Sequence, residues 1–403
     1  MPIKMPTYTQ LSSEQKQILE EHDLDANILV IGPPGTGKTV IAMHRAEQMA
    51  LVRVEEGEVD KKGKAVRMIM YNKVLRKYSE GWESDDFSSY VDVLTYHSWA
   101  SRIWQQSGGR GWRAPNRGTG DPYDIDWRKL GSALRAAGVP IGPLVIDEAQ
   151  DLPPYFYAEI SKCLCLEPSA GMSIFADENQ TLKPDLNSSI SEISKQFEAG
   201  NPLSQCSLTE NYRNTKEIAE LAARFFVGLQ TGRPKLPVGR NGERPRLVGY
   251  RDGDAGMINS VVTYAKNNPS ASILVILPSS PILKSWHASL TTRLPRRDVG
   301  AYLSGQANPD FGVDSMSLGD DGSISLVHWQ SMKGLEADAV FVPHIESFDL
   351  GGDTDRHERM RLYVMCSRAR STLELQYDLA ESRNSLVKTI ETLGHGVIEC
   401  QTR

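Results

Sequence analysis

The sequence predicts an α/β fold with two parallel sheets in tandem, and three observations carry that expectation. Short β-rich runs alternate with polar or amphipathic stretches, the pattern of parallel strands joined by helices that cover both faces of a sheet. The series then restarts. NILVIG, AVRMIMY, VDVLT, PLVID and GMSIFA come first, followed by RLVGY, ASILVILP, SISLVHW, DAVFVP and STLELQY. A chain of 403 residues also exceeds one ordinary domain and suits two. The break is expected near residue 200, at EAGNPLSQ, giving domains of 1–200 and 201–403. The Pro/Gly-rich connector TGRPKLPVGRNGERP falls inside the second domain, after a helix expected from about Thr215.

The first strand runs directly into GPPGTGKT, residues 32–39, and KTVIAMHRAEQMA continues as an amphipathic helix. A glycine-rich turn before a helix can be merely structural. Between a strand and a helix, however, G-x-x-x-x-G-K-[ST] has a phosphate-binding mechanism. Gly32, Gly35 and Gly37, with Thr36 among them, let backbone N–H groups wrap phosphates at a helix N-terminus. Lys38 would reach the β and γ phosphates, and Thr39 would ligate Mg²⁺.

The fourth run, LVIDEAQD at residues 144–151, ends in paired acids. Such acids often cap the next helix. Downstream of a P-loop, Asp147 fits the second Mg²⁺ contact and Glu148 can polarise the attacking water. Together the two motifs define a nucleoside triphosphatase, a description shared by kinases, GTPases, AAA machines and helicases.

Composition limits the partners. With a formal net charge of −6, the chain is no uniformly basic nucleic-acid coat. Yet residues 96–139 carry a local net +4, and within them SWASRIWQQSGGRGWRAPNRG (98–118) interleaves three tryptophans with four arginines. YHSWASRIWQQ reads as a helix whose Trp99 and Trp104 face inward or line a nucleic-acid groove, with inward packing the usual fate of helical aromatics. Arg110, Trp112, Arg113 and Arg117, flanked by glycines, point instead to base stacking and phosphate contact. The five cysteines fit no zinc spacing and suit reduced thiols. The opening MPIKMPTYTQ lacks a signal-peptide core, and no apolar run approaches the ~20 residues of a membrane span. A cytoplasmic location, with no membrane partner, is the expectation.

The ordered motifs resemble those of superfamily 1 helicases of the UvrD/Rep/PcrA type across nearly the whole chain. LSSEQKQIL is similar to the family's Q motif, which implies that Gln15 reads the adenine edge. YNKVLRKY and LTYHSWA resemble motifs Ia and Ib, implying strand contacts at Tyr71, Asn72, Thr95 and His97. DEAQD is motif II in the form this family uses. FADENQ resembles motif III, with Gln180 coupling the γ-phosphate to the strand groove. ENYRNT resembles motif IV, with Tyr212 stacking on adenine and Arg213 acting as an arginine finger. SMKGLEADAVF resembles motif V, placing Glu336 near the ribose and Ser331 and Gly334 near the strand. RLYVMCSRAR resembles motif VI, making Arg368 the second finger.

The resemblance therefore implies two RecA-like domains, the first with a short insertion at about 97–143. It implies hydrolysis of ATP with Mg²⁺ in the cleft between them. It also implies a translocase or helicase on single-stranded nucleic acid, DNA by the family's habit, with RNA left open. Departures bear on the strand contacts. The family's stacking element after motif III is missing from NQTLKPDLNSSI, Met70 stands where motif Ia carries phenylalanine, and Trp329 in VHWQSMKG suits core packing. The large inserted subdomains are missing too. A second expectation is therefore a nucleic-acid-responsive ATPase switch, of repair or anti-phage type, that does not unwind alone. A protein partner supplying nuclease or effector activity would accompany it.

Overall fold

The computed structural model describes residues 6–403 apart from 61, 71–84, 122, 165–170, 181–186, 198–201, 305–307, 318–319 and 349–354. Tyr71 and Asn72, expected on the strand, lie outside the described residues. The chain divides into two compact units. Of the described residues, one holds Pro6–Pro33 with Gly37–Leu208, and the other holds Pro34–Thr36 with Thr209–Arg403.

The first unit opens with α1 (Ser13–Glu20). Ser12 Oγ accepts from the Gln15 N–H (3.2 Å) while Gln15 Oε1 accepts from the Ser12 N–H (3.0 Å), a reciprocal cap that satisfies two orphan donors. Then come β1 (Asn27–Ile31), α2 (Lys38–Glu55), β2 (Val66–Met70), α3 (Asp85–Tyr90), β3 (Val91–Thr95) and α4 (Tyr96–Gln106). The unit continues with α5 (Trp127–Ala137), β4 (Leu144–Ile146), α6 (Pro154–Leu164), β5 (Met172–Ala176), α7 (Ile190–Lys195) and β6 (Leu203–Ser207). The six strands are parallel, in the order β3-β2-β4-β5-β1-β6.

Alternation along β1 shows why both faces are covered. Leu29 and Ile31 enter one apolar cluster with α4, α5 and α6, while Ile28 and Val30 enter another with α1, α2 and α3. Each such side chain contributes about 1.5–3 kcal/mol on burial. The sheet takes in β6, so the first unit ends at Leu208, a few residues beyond EAGNPLSQ.

The second unit begins with α8 (Lys216–Arg224), β7 (Arg246–Tyr250), α9 (Asp254–Asn267), β8 (Ile273–Leu277), α10 (Ser280–Arg293) and β9 (Val299–Tyr302). It closes with β10 (Ile324–His328), β11 (Ala337–Val342), α11 (Asp355–Cys366), β12 (Ala369–Asp378), α12 (Ser385–Leu393) and β13 (Glu399–Thr402). Seven parallel strands lie in the order β13-β7-β12-β11-β8-β10-β9. Trp329, after β10, is buried with the Arg361 guanidinium 5.0 Å over its ring. This is the two-sheet α/β architecture that the strand series predicts. Among the described residues no helix is long and apolar enough to cross a membrane.

A polar clip ties β11 to α9 and α10. His344, in the left-handed region at φ 54°, sets Nε2 2.8 Å from Asp254 and Nδ1 3.2 Å from Glu346, while Trp286 Nε1 donates to Asp254 at 2.6 Å. Burial opposes protonation of His344, but hydrogen bonds to the two carboxylates outweigh it and raise the imidazole to about 9. A raised folded-state pKa adds stability that is full below the unfolded value of about 6.5 and is lost as pH rises through about 9. Thermal midpoints should therefore fall between pH 7 and 9.5, and His344→Asn should flatten that profile. An unchanged slope in the variant would remove the clip from the explanation.

Candidate functional site

The parallel sheet of the first unit brings the motif residues to one edge. β1, β5 and β4 are neighbours, and their C-terminal ends carry the P-loop, Asp177 and Asp147. In open parallel sheets this is the edge where ligands bind. Gly35 and Gly37 adopt φ 83° and 85°, which lets the loop turn back before α2 begins. A Cβ on Gly37 would sit 2.3 Å from Gln15 Nε2, so the loop passes directly beside the Q-motif side chain. Thr36 is fully buried.

Lys38 Nζ donates to the carbonyls of Gly32 (2.5 Å) and Pro33 (3.1 Å) and lies 3.9 Å from Asp177. The ammonium is thus held inside the loop that backbone amides line. Thr39 Oγ1 donates to Asp147 Oδ2 at 2.7 Å, joining residues 108 positions apart. A hydroxyl and a carboxylate side by side form the oxygen-only pair that Mg²⁺ accepts, with phosphate and water completing its shell. An ion held by that pair would supply charge neutralisation to bound phosphates.

Asp147 is buried, and burial together with the Glu148 charge lifts its carboxyl to about 6, against the pull of Thr39 and Lys38. Glu148 follows in the left-handed conformation, φ 53°, at 4% exposure. A non-glycine residue pays about 1–2 kcal/mol there, so the neighbouring structure must hold it. Gln150 does so, donating from Nε2 to Glu148 Oε2 (2.6 Å) while its Oε1 accepts the Asp177 N–H (2.9 Å). Asp177 Oδ2 accepts in turn from Gln180 Nε2 (2.8 Å). Burial raises the Asp177 carboxyl, and Lys38 offsets part of that rise. The carboxylate, the lysine and the glutamine form one connected network. Gln150 and Asp177 are the members that motif reading passed over. Both stand inside the quoted motifs, but only the fold shows that they join motif II to motif III.

In the second unit, Arg213 binds Glu336 through Nε and reaches the Ser367 carbonyl at 3.5 Å, and Arg370 Nε donates to the same carboxylate at 3.0 Å. Burial alone would raise Glu336, yet the two guanidinium groups hold it down to about 2. Here Glu336, expected near a ribose, organises two arginines. Arg368 is 1% exposed and donates to the carbonyls of Val364 (3.0 Å) and Leu335 (3.4 Å) and to Ser367 Oγ (3.1 Å). Tyr212 is 39% exposed. Ser331 and Gly334 follow β10 on a short helical turn and its exit.

The tryptophan segment splits as its sequence suggests. Trp99 is buried, 5.7 Å from the Trp127 ring, and Trp104 lies so close to Gly109 that a Cβ there would meet the indole at 2.1 Å. Trp112 is 69% exposed, with the Arg113 guanidinium 4.2 Å from its ring centroid, and Arg110 is exposed beside it. Arg117 is otherwise engaged, 4.5 Å over the Tyr155 ring and 3.6 Å from Asp124. Its side chain nevertheless remains 44% exposed. Thr95 caps α4, and His97 bonds the Tyr123 carbonyl (3.1 Å), with burial lowering its pKa. Tyr123, 65% exposed, sets its ring edge-on to the His97 ring at 5.4 Å.

The sequence matches no family model and no curated protein. The fold, however, recurs. Saccharomyces cerevisiae Dbp5 bound to RNA and ADP BeF3 is similar at a TM-score of 0.53 and 11% identity, over 98% of this chain and 90% of that one. A point variant of Dbp5 in the same bound state gives the same values. The C-terminal domain of a possible DNA helicase from Lactobacillus plantarum is 21% identical over 47% of this chain and 97% of that domain, at a TM-score of 0.33. The chain has the tandem RecA-like α/β fold of helicases.

Proposed function

We propose that this chain is an ATP hydrolase of superfamily 1 type that translocates along, or unwinds, single-stranded nucleic acid, with DNA the expected track. The observation that carries the reading is the Thr39–Asp147 hydrogen bond at 2.7 Å, beside a Lys38 held over the P-loop carbonyls. That arrangement supports reading this edge of the sheet as a site for Mg²⁺ and a triphosphate. Lys38 and the loop amides bind the phosphates, Thr39 and Asp147 hold the ion, and Glu148 takes the proton of the attacking water. Arg213 and Arg368 stabilise charge developing on the transferred phosphoryl group. Gln15 and Tyr212 hold the adenine. RNA and ADP BeF3 on the same fold in yeast Dbp5 support a nucleic-acid-dependent cycle.

One observation favours the switch reading. Between α4 and α5 the chain forms a short loop closed by the Asn116–Ile125 bridge, where the resembled family inserts a subdomain. ATP hydrolysis should be measured alone, with single-stranded DNA and with single-stranded RNA, followed by displacement of duplexes carrying 3′ or 5′ tails. Stimulation with displacement supports a helicase, and stimulation without it supports the switch. No stimulation by either polymer overturns both readings.

The exposed pair on the loop gives a separate expectation. Base–aromatic stacking is worth about 1–3 kcal/mol per base. Trp112→Ala with Arg113→Ala should therefore weaken single-strand affinity about tenfold, read by fluorescence anisotropy. Unchanged affinity would leave the loop without a strand-binding role.

A further inference from the structure

The connector after α8 forms an ordered basic strap. Residues 231–245, TGRPKLPVGRNGERP, hold Arg233, Lys235, Arg240 and Arg244 against Glu243 alone, in a chain of net charge −6. Backbone bonds fix the segment to residues 209–217. The Lys235 N–H donates to the Thr209 carbonyl (3.0 Å), and the Lys216 N–H donates to the Arg240 carbonyl (2.8 Å). The Gly242 N–H donates to the Glu217 carboxylate (2.7 Å), and the Arg240 guanidinium donates to the Tyr212 carbonyl (3.2 Å).

Pro234 and Pro237 are buried, and the four cations are exposed. No ion pair joins any of the four among the described residues, and Glu243 turns to Arg246 at 3.8 Å. Between Lys235 and Arg240, Val238 stands 99% exposed, an apolar side chain with nothing to pack against. A charge run is usually a solvated face. Here the backbone is pinned, the cations are unneutralised and a bare valine sits among them.

We propose that this strap binds the backbone of a single-stranded nucleic acid, with Arg233, Lys235 and Arg244 on phosphates and Val238 against a base or sugar. Arg240 anchors the strap at Tyr212. The inference rests on the nucleic-acid reading above and assigns it a surface outside every motif. Two properties follow from the chemistry. Phosphate contacts release counterions, so each adds about 0.7 to the salt slope of single-strand binding. An apolar contact releases none.

The test is anisotropy of labelled oligo-dT and oligo-U, titrated with the full chain over a range of KCl. Arg233→Ala, Lys235→Ala and Arg244→Ala combined should lower affinity at least tenfold at low salt and flatten the log–log slope by about 2. Polymer-free ATP hydrolysis should stay at the wild-type rate, since none of the three lies in the nucleotide site. Val238→Ser should weaken binding severalfold at an unchanged slope. A triple variant that binds with the wild-type slope overturns the strap alone. Wild-type protein that binds neither oligonucleotide overturns the nucleic-acid reading and the strap with it.

Discussion

Glu148→Gln should stop steady-state ATP turnover while leaving ATP bound. The substitution keeps the size of the side chain and its partner Gln150, so the left-handed turn after β4 persists. What disappears is an acceptor for the proton of the attacking water, a contribution of about 10²–10⁴ in rate. Lys38→Ala should also abolish turnover, by a different route. Removing the ammonium that rests on the Gly32 and Pro33 carbonyls takes away the charge expected to meet the phosphates. Lys38→Ala should therefore lose nucleotide affinity, whereas Glu148→Gln should retain it. Equilibrium binding of a fluorescent ATP analogue alongside kcat separates the two. Wild-type kcat in Glu148→Gln would remove Glu148 from the base role.

Arg213→Ala and Arg368→Ala should each lower kcat by about 10³ or more and largely spare ATP binding, as expected for groups that act on transition-state charge. Their folding costs should differ. Arg213 is partly exposed, and Glu336 keeps Arg370 when Arg213 is removed, so the melting temperature should barely move. Arg368 is buried among the Val364 and Leu335 carbonyls. Its removal takes a donor from the Leu335 carbonyl, while Val364 keeps the Ser367 hydroxyl, and a buried acceptor that loses its partner costs about 1–3 kcal/mol. Stability must then be read beside kcat, at a temperature where the variant stays folded. Arg368→Lys gives a second measure, because lysine keeps the charge but cannot reproduce the guanidinium's several directed bonds. Full turnover in both alanine variants would break the arginine-finger assignment.

Legibility in the sequence followed burial. The strands found directly, such as NILVI and ILVIL, are buried along their whole length, and that forces a continuous apolar run. The strands missed are of another kind. β6 (LSQCS) and β13 (ECQT) lie at sheet edges with mostly exposed side chains, and β9 (VGAY) is four residues long. An edge strand gains its backbone hydrogen bonds from one neighbour and needs no apolar signature. The expected boundary near residue 200 falls just before β6 for that reason.

By itself the sequence determined two parallel α/β layers, a glycine-rich loop between β1 and α2, and paired acids at the tip of β4. Each is a local pattern whose spacing is set by one strand, one turn or one helix. Tertiary structure alone decided that Asp147 meets Thr39, that Gln150 bridges Glu148 and Asp177, and that Arg213 and Arg370 share Glu336. It also decided which arginines of the tryptophan loop are bare, leaving Arg113 on Trp112 while Tyr155 and Asp124 take Arg117. The pairs that cross the fold, such as Thr39 with Asp147 and Arg213 with Glu336, are 108 and 123 positions apart. Their pairing depends on the order in which parallel strands lie side by side, and neither residue type nor spacing along the chain records that order.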